Sequence, residues 1–317
     1  MNSATFTVYR HSGKFQPAGP SLAILTAVIA GFPAGYAYAY FMRWIPFIYL
    51  NILAAVFYGA AFGAAGGWFM KRYMVRNNPV ALATGFAMGV IALYLAWNGH
   101  MNAIFKDSPL FCPPGEMIER MKVLYEKGTW SMHSGDAPVT GPMLGLVWLV
   151  EAGMIIGFTT SICYGKIAHM PFCEDSQCWL DQVKEINTLR EFNDPADVAT
   201  FKAGDLGPLT KAQPKEERAS TWARILLKHS PNSKVFHTLR IQNVTLKYDR
   251  KGKATLKCRN LTQDLVLPAD MLGLISKFEH FNQPAEPPGG AGIKTDATDQ
   301  AAGDTAQAPD SPGSAEL

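Results

Sequence analysis

The chain has 317 residues, a formal net charge of +3 and a mean hydropathy of +0.01. These averages conceal a very apolar first half joined near residue 165 to a charged second half, and that shift excludes a single uniform domain.

Residues 1–20 are polar, and the apolar run after them continues for a full span without an early small-residue cleavage pattern. They are read as a cytoplasmic N-terminal segment, with the first span retained. Four apolar runs follow, Ser21 to Met42, Pro46 to Met70, Pro79 to Asn98 and Pro142 to Tyr164, and together they hold one charged residue, Glu151. Each is about 20 residues long, enough to cross a bilayer. The fold class expected is an all-α, four-helix transmembrane bundle over 21–165, followed by a small cytoplasmic α+β domain over 166–283 and a disordered acidic tail over 284–317.

Orientation follows from the Lys and Arg of the short loops. Arg10 and Lys14 precede the first span, Lys71, Arg72 and Arg76 fill the second loop, and Lys166 follows the fourth span, whereas the first loop holds only Arg43. Both termini are therefore placed in the cytoplasm. The loop over 99–141 mixes charges of both signs and is placed outside. Its segment Gly115 to Lys127 sets Met117, Ile118, Met121, Leu124 and Tyr125 on one helical face, which suits a helix on the membrane or against the bundle, although a plain covering loop stays open. Trp44, Trp68, Trp97 and Trp148 lie near span ends, where an indole ring prefers the headgroup level.

Every span carries glycines four apart: Gly31 and Gly35, then Gly59, Gly63 and Gly67, then Gly85 and Gly89, then Gly153 and Gly157. Such pairs share a helix face and admit a second backbone closely. Packing within the chain is favoured over self-association into a homo-oligomer, which stays open. Glu151 lies about ten residues into its span, near the midplane, where a carboxylate costs roughly 2.5–3.5 kcal/mol on insertion scales. It is expected to be neutral there. The candidate partners are Asn51 and the Ile29 carbonyl that Pro33 frees. An interhelical hydrogen bond is one reading and a proton or ion relay the other. Tyr58, Tyr94, Thr159, Thr160 and Ser161 are the few polar groups that could accompany a relay, which weighs against transport.

Beyond Cys173, the spacing of Trp179, Leu180, Val183, Ile186 and Leu189 predicts a helix, and a second begins at Asp194 with Pro195 at its first position. A third is expected from Lys215 to His229, with Trp222, Ala223 and Leu226 inward. Strands follow over Phe236 to Tyr248 and Lys253 to Arg259, joined by a turn at Asp249 to Gly252. After Leu265 to Leu267, a last helix starts at Pro268. The tail is rich in Pro, Gly, Ala, Asp and Thr and has almost nothing to bury.

Cys173 and Cys178 have knuckle-like spacing, His169 is near in sequence, and Ser230, Pro231, Asn232 and Ser233 resemble a second knuckle with serines in place of thiols. A zinc ion would draw its ligands from Cys173, Cys178, His169 and Cys258; ordinary thiols with no cofactor are the alternative. Residues 215–259 hold twelve Lys or Arg against Glu216, Glu217 and Asp249. That surplus points to anionic lipid headgroups or an acidic protein partner, and no nucleic-acid motif accompanies it. No G-x-S-x-G, H-E-x-x-H, P-loop or G-x-G-x-x-G is present, and His100 and His133 read as isolated in the outer loop. The function expected is a non-enzymatic membrane protein that holds a cytoplasmic interaction or regulatory domain at the inner face of a bacterial inner membrane. The alternatives are a small transporter or channel subunit centred on Glu151, then a membrane enzyme.

Overall fold

The computed structural model describes residues 6–267 apart from 46, 106, 130–137, 204, 214, 217–218 and 250–252. Its first half contains four helices long and apolar enough to cross a membrane: α1 (Ala18–Trp44), α2 (Ile48–Arg72), α3 (Asn78–Ile104) and α5 (Gly141–Ala168). Local chemistry sets their ends. The Asn77 side chain accepts the Val80 N–H at the start of α3, where Pro79 occupies the first turn. Gly141 takes φ +62°, which turns the chain sharply into α5 just before Pro142.

The closest packing is not between helices adjacent in sequence. A Cβ on Gly35 would lie 2.7 Å from the Leu95 backbone and one on Gly99 2.8 Å from the Ala39 side chain, so α1 and α3 run parallel and in contact. Helices α2 and α5 form a second parallel pair, since a Cβ on Gly59 would meet the Ile155 carbonyl at 2.7 Å and one on Gly63 the Thr159 carbonyl at 2.9 Å. The pairs meet along α3 and α5, antiparallel, where Gly85 and Gly89 face the Thr160 and Ile156 backbone at 2.9 Å. Gly31 faces the Leu95 side chain and Gly67 the Lys166 side chain. Gly153 and Gly157 depart from the expectation: nothing lies within 4 Å of where their Cβ atoms would be.

Helix α4 (Pro114–Lys127) lies across one end of these helices. Met117 and Leu124 are its buried side chains, packed with Trp97, Met101 and Cys112. Trp97 is buried and stacks edge-on against Trp148 at 5.1 Å, so it belongs to this core, while Trp44 and Trp68 remain exposed.

At the other end stand two sheets. A short hairpin pairs β1 (Phe172–Cys173) with β2 (Cys178–Trp179). The larger antiparallel sheet has the order β3 (Gln182–Leu189), β4 (Thr221–Ser230), β5 (Ser233–Tyr248), β6 (Ala254–Asn260), with β7 (Leu265–Leu267) also pairing β5, along its first residues. The N-terminal segment completes the sheet beyond β7: Val8 bridges Leu265, the Val266 N–H donates to the Thr7 carbonyl and the Tyr9 N–H to the Asp264 carbonyl. Helix α6 (Pro195–Lys202) starts where expected, with the Asp194 side chain accepting the Ala196 N–H. Phe6, Phe192, Phe201, Ile225, Leu239 and Ile241 are among the side chains that fill the core beneath this sheet.

Two predicted helices are strands. The stretch from Trp179 to Leu189 forms β2 and β3, with a bulge between Glu185 and Asn187. The bulge lets Ile186 and Leu189 both reach the core at a spacing that imitates a helix. The stretch from Lys215 to His229 contains β4, whose Ala223 and Ile225 face the core while Trp222 and Leu226 face the opposite side. Apolar residues on both faces erase the period that separates strand from helix, and pairing with β3 and β5 decides the outcome. The expected turn at residues 250–252, the helix from Pro268 and the tail over 284–317 lie outside the described residues.

Candidate functional site

Glu151 sits on α5 among groups from two other helices. The Tyr38 hydroxyl of α1 donates to Glu151 Oε1 at 2.5 Å, and His100 Nε2 of α3 lies 3.9 Å from the same oxygen. Tyr38 stacks on Tyr58 of α2 with ring centroids 4.8 Å apart, and the Tyr58 hydroxyl donates to the Ala92 carbonyl. Three helices thus meet at one carboxyl group, and α2 joins them through the Tyr38–Tyr58 stack. The desolvation of the carboxyl is offset by a hydroxyl donor and by an imidazole that becomes an ion-pair partner when protonated.

Neither expected partner is at this site. Ile29 is 65% exposed on the outside of the bundle, and the buried Asn51 Oδ1 has no hydrogen-bond partner among the described residues. His100 is four residues from the end of α3, Tyr38 six from the end of α1 and Glu151 ten from the start of α5, which sets the cluster roughly 6–15 Å inside the helix ends nearest α4. The sequence reading of His100 as isolated in the outer loop is corrected: α3 continues beyond Asn98, the limit drawn from apolarity alone, and carries His100 to Glu151. A helical register carried through Trp97 and His100 would have placed it facing the bundle. Toward the sheet end the surroundings become apolar: Phe62, Met70, Met88, Ile155 and Ile167 are buried, and the Thr84 and Thr159 hydroxyls are taken up by the Val80 and Gly59 carbonyls.

The join between helices and sheet is the second polar concentration. The His11 Nε2–H donates to the Ile167 carbonyl at 3.2 Å, His11 Nδ1 accepts the Tyr9 hydroxyl, and that hydroxyl accepts the Phe172 N–H. Burial pushes the Tyr9 phenol up to about 12 and holds the His11 imidazole below its ordinary value. Glu174 receives Ser12, Arg76 and Lys14, and the Arg76 guanidinium lies 4.5 Å over the Phe172 ring. The Trp179 indole N–H donates to the Lys71 carbonyl, and Lys71 pairs with Asp181. Three of the cations that suggest the orientation, Lys14, Lys71 and Arg76, therefore also bond the sheet region. Farther in, Lys228 Nζ donates to the His169 carbonyl at 2.7 Å and to Asp264 at 3.0 Å, and Arg240 grips the same carboxylate with two nitrogens. Burial lowers the Lys228 pKa against the upward pull of Asp264. An open cleft of about 440 Å³ beside this join is lined by Tyr9, Arg10, Phe172, Cys173 and Phe236 among others.

The four zinc candidates do not converge. Cys173 and Cys178 face one another across β1 and β2, and His169 ends α5. Cys258 is exposed on β6 opposite Val244, on the order of 35 Å along β5 from Ser233. Among the described residues no group of three or more His, Cys, Asp or Glu is arranged to hold a metal ion. The serine knuckle does meet the cysteine one. Burial alone would raise the Cys173 thiol pKa, but hydrogen bonds from Ser233, Ser176 and Asp175 outweigh it and bring the pKa below the ordinary value. Cys112 is buried, with its N–H bonded to Asn98 and its carbonyl to the Tyr94 hydroxyl, and burial raises its thiol pKa.

No family model matches the chain, and no curated protein or solved structure matches it either.

Proposed function

We propose that the chain is a multi-pass protein of a bacterial inner membrane, whose four long helices form a transmembrane anchor for an interaction or regulatory domain at the cytoplasmic face. One observation carries this reading: Thr7 to Lys14 belongs to both halves at once, running beside β7, bonding the ends of α3 and α5, and leading into α1. A domain that only needed to stay near a membrane could hang on a flexible linker. Here Tyr9, His11, Arg76 and Trp179 tie the sheet to helix ends, which suits a surface that must be offered to a partner at a fixed height and angle. The Lys and Arg asymmetry of the short loops places this end in the cytoplasm, and boundaries at 20, 165 and 283 follow from the same reading. Its partners are the bilayer and, at the basic residues of 215–259, anionic headgroups or an acidic protein; packing of the glycine faces within the chain is favoured, and a homo-oligomer is the alternative.

Thiol accessibility tests the orientation. Cys112 is too buried to report, so Leu110→Cys, at a position 63% exposed, serves as the outer probe and the native exposed Cys258 as the inner one. In intact cells a membrane-impermeant maleimide is expected to label Leu110→Cys, with Cys258 labelled only after lysis. The reverse order would overturn the reading.

A second reading, transport centred on Glu151, is favoured by the His100 and Tyr38 contacts and opposed by the apolar interior toward the sheet end. As an interhelical lock, Glu151→Gln keeps stability within about 1 kcal/mol and Glu151→Leu costs about 1–3 kcal/mol. As a carrier of protons, Glu151→Gln folds but abolishes pH-gradient-driven flux in reconstituted vesicles.

A further inference from the structure

Resting on the reading of the sheet region as an interaction module, we propose that the outer edge of β6 receives an extended acidic protein segment, which joins the sheet as an added strand.

Strand β6 is exposed over all of Ala254–Asn260. Its inner edge is taken by β5, in a register that pairs Thr245 with Lys257 and Lys247 with Thr255. The flanking bonds from the Asp249 N–H to the Lys253 carbonyl and from the Leu261 N–H to the Ile241 carbonyl fix the alternation. Odd-numbered residues of β6 bond to β5, so the N–H and C=O groups of Leu256 and Cys258 point away from the sheet. Such a row of alternating donors and acceptors is matched by another polypeptide backbone and by neither a lipid headgroup nor a nucleic acid.

The side chains select which polypeptide. Lys257 and Arg259 share one face of β6, and Lys247 stands diagonally across from Lys257 on β5. All three are exposed, and none forms an ion pair with a described residue. Like charges facing one another disfavour the same edge of a second copy, and nothing in this row rewards a neutral strand. An acidic strand with carboxylates at alternate positions places them all on the face of Lys257 and Arg259.

The test uses the full-length protein in detergent and a fluorescein-labelled peptide of alternating Glu and Val. A Glu–Pro peptide of equal charge serves as a control, since it lacks half the backbone donors. The Glu–Val peptide is expected to bind at least tenfold more tightly than the Glu–Pro peptide and to protect the Leu256 and Cys258 amides from hydrogen exchange. Lys257→Glu with Arg259→Glu is expected to weaken binding at least tenfold at an unchanged melting temperature, and Cys258→Pro to do so by removing one outward N–H. Should Cys258→Pro fail to fold, the two peptides on the unaltered chain still decide. Equal affinity for both peptides, or unchanged binding by the charge-reversed variant, would overturn the proposal. So would occupation of Lys257 and Arg259 by phosphatidylglycerol vesicles or a single-stranded oligonucleotide in place of the peptide. Maleimide labelling reads the membrane orientation without the peptide, so each idea can fail alone.

Discussion

The helical half and the sheet half of this protein satisfy their backbones in different ways, and the difference governs how each responds to change. In α1, α2, α3 and α5 the N–H groups beyond the first turn are satisfied by carbonyls of the same helix, the arrangement a segment in hydrocarbon would need. The helices approach one another closely at Gly35, Gly59, Gly63, Gly85 and Gly89, and polar contacts between them include the Glu151 cluster and the Tyr58–Ala92 and Thr159–Gly59 bonds. In the sheet half each strand depends on a distant one: β3 on β4, β5 on β6 and β7, and β7 on residues at the chain's beginning. The helical half should therefore be sensitive to added volume, and the sheet half to the loss of a single polar hub.

The largest effect is expected at that hub. Asp264 is nine-tenths buried and accepts from both Lys228 and Arg240, so Asp264→Ala leaves two cations without their counter-charge and should cost about 3–5 kcal/mol. Urea unfolding followed by tryptophan fluorescence measures it. A loss under about 1 kcal/mol, the range of exposed pairs, would erase the proposed contrast between the halves.

An intermediate effect is expected from volume. Gly63→Leu must displace the Thr159 and Phe158 carbonyls, which lie 2.9 and 3.1 Å from the site of a Cβ, and overpacking of this kind costs about 1–3 kcal/mol. Gly153→Leu meets nothing within 4 Å and should stay within about 0.5 kcal/mol. Thermal melts in detergent sharpen the contrast if the two variants separate; equal melts would show that glycine position does not matter to the bundle.

The smallest effect is a pH dependence at the join. Burial holds the His11 pKa below 6.5 in the folded chain, so folding favours the neutral ring. The stability it contributes is complete above the unfolded value and is lost as pH falls from about 6.5 toward the folded pKa. Melting temperature is expected to fall over that window in the native chain, and less in His11→Gln. Identical pH profiles for the two would place the join's acid sensitivity elsewhere.

Much of the helical half was legible because its signals are local. Runs of apolar residues, the Pro79 and Pro142 starts and the stripe of α4 all act within a few residues of one another. The strands over Phe236 to Tyr248 and Lys253 to Arg259 were legible for the same reason, since alternation is a feature of neighbouring residues. Trp179 to Leu189 and Lys215 to His229 were misread as helices because a bulge in one and two apolar faces in the other remove the period that local inspection relies on. At the candidate site, Glu151 was visible as the charge in the spans, but Tyr38 and His100 were not: a Tyr near a span end and a His past an apolar run each have an ordinary local explanation.

The sequence by itself determined that four segments are long and apolar enough to cross a membrane, which glycines stand four apart, and where the chain's charge is concentrated. These are properties of composition and spacing, carried by each segment alone. Only the tertiary structure decided that α1 pairs with α3 and α2 with α5, that Glu151 meets Tyr38 and His100 near one end of the helices, and that Thr7 to Tyr9 closes the sheet beside β7. Those outcomes depend on which surfaces fit once all segments are present. Close packing and hydrogen bonding between residues far apart in the chain leave no trace in the local pattern of either partner.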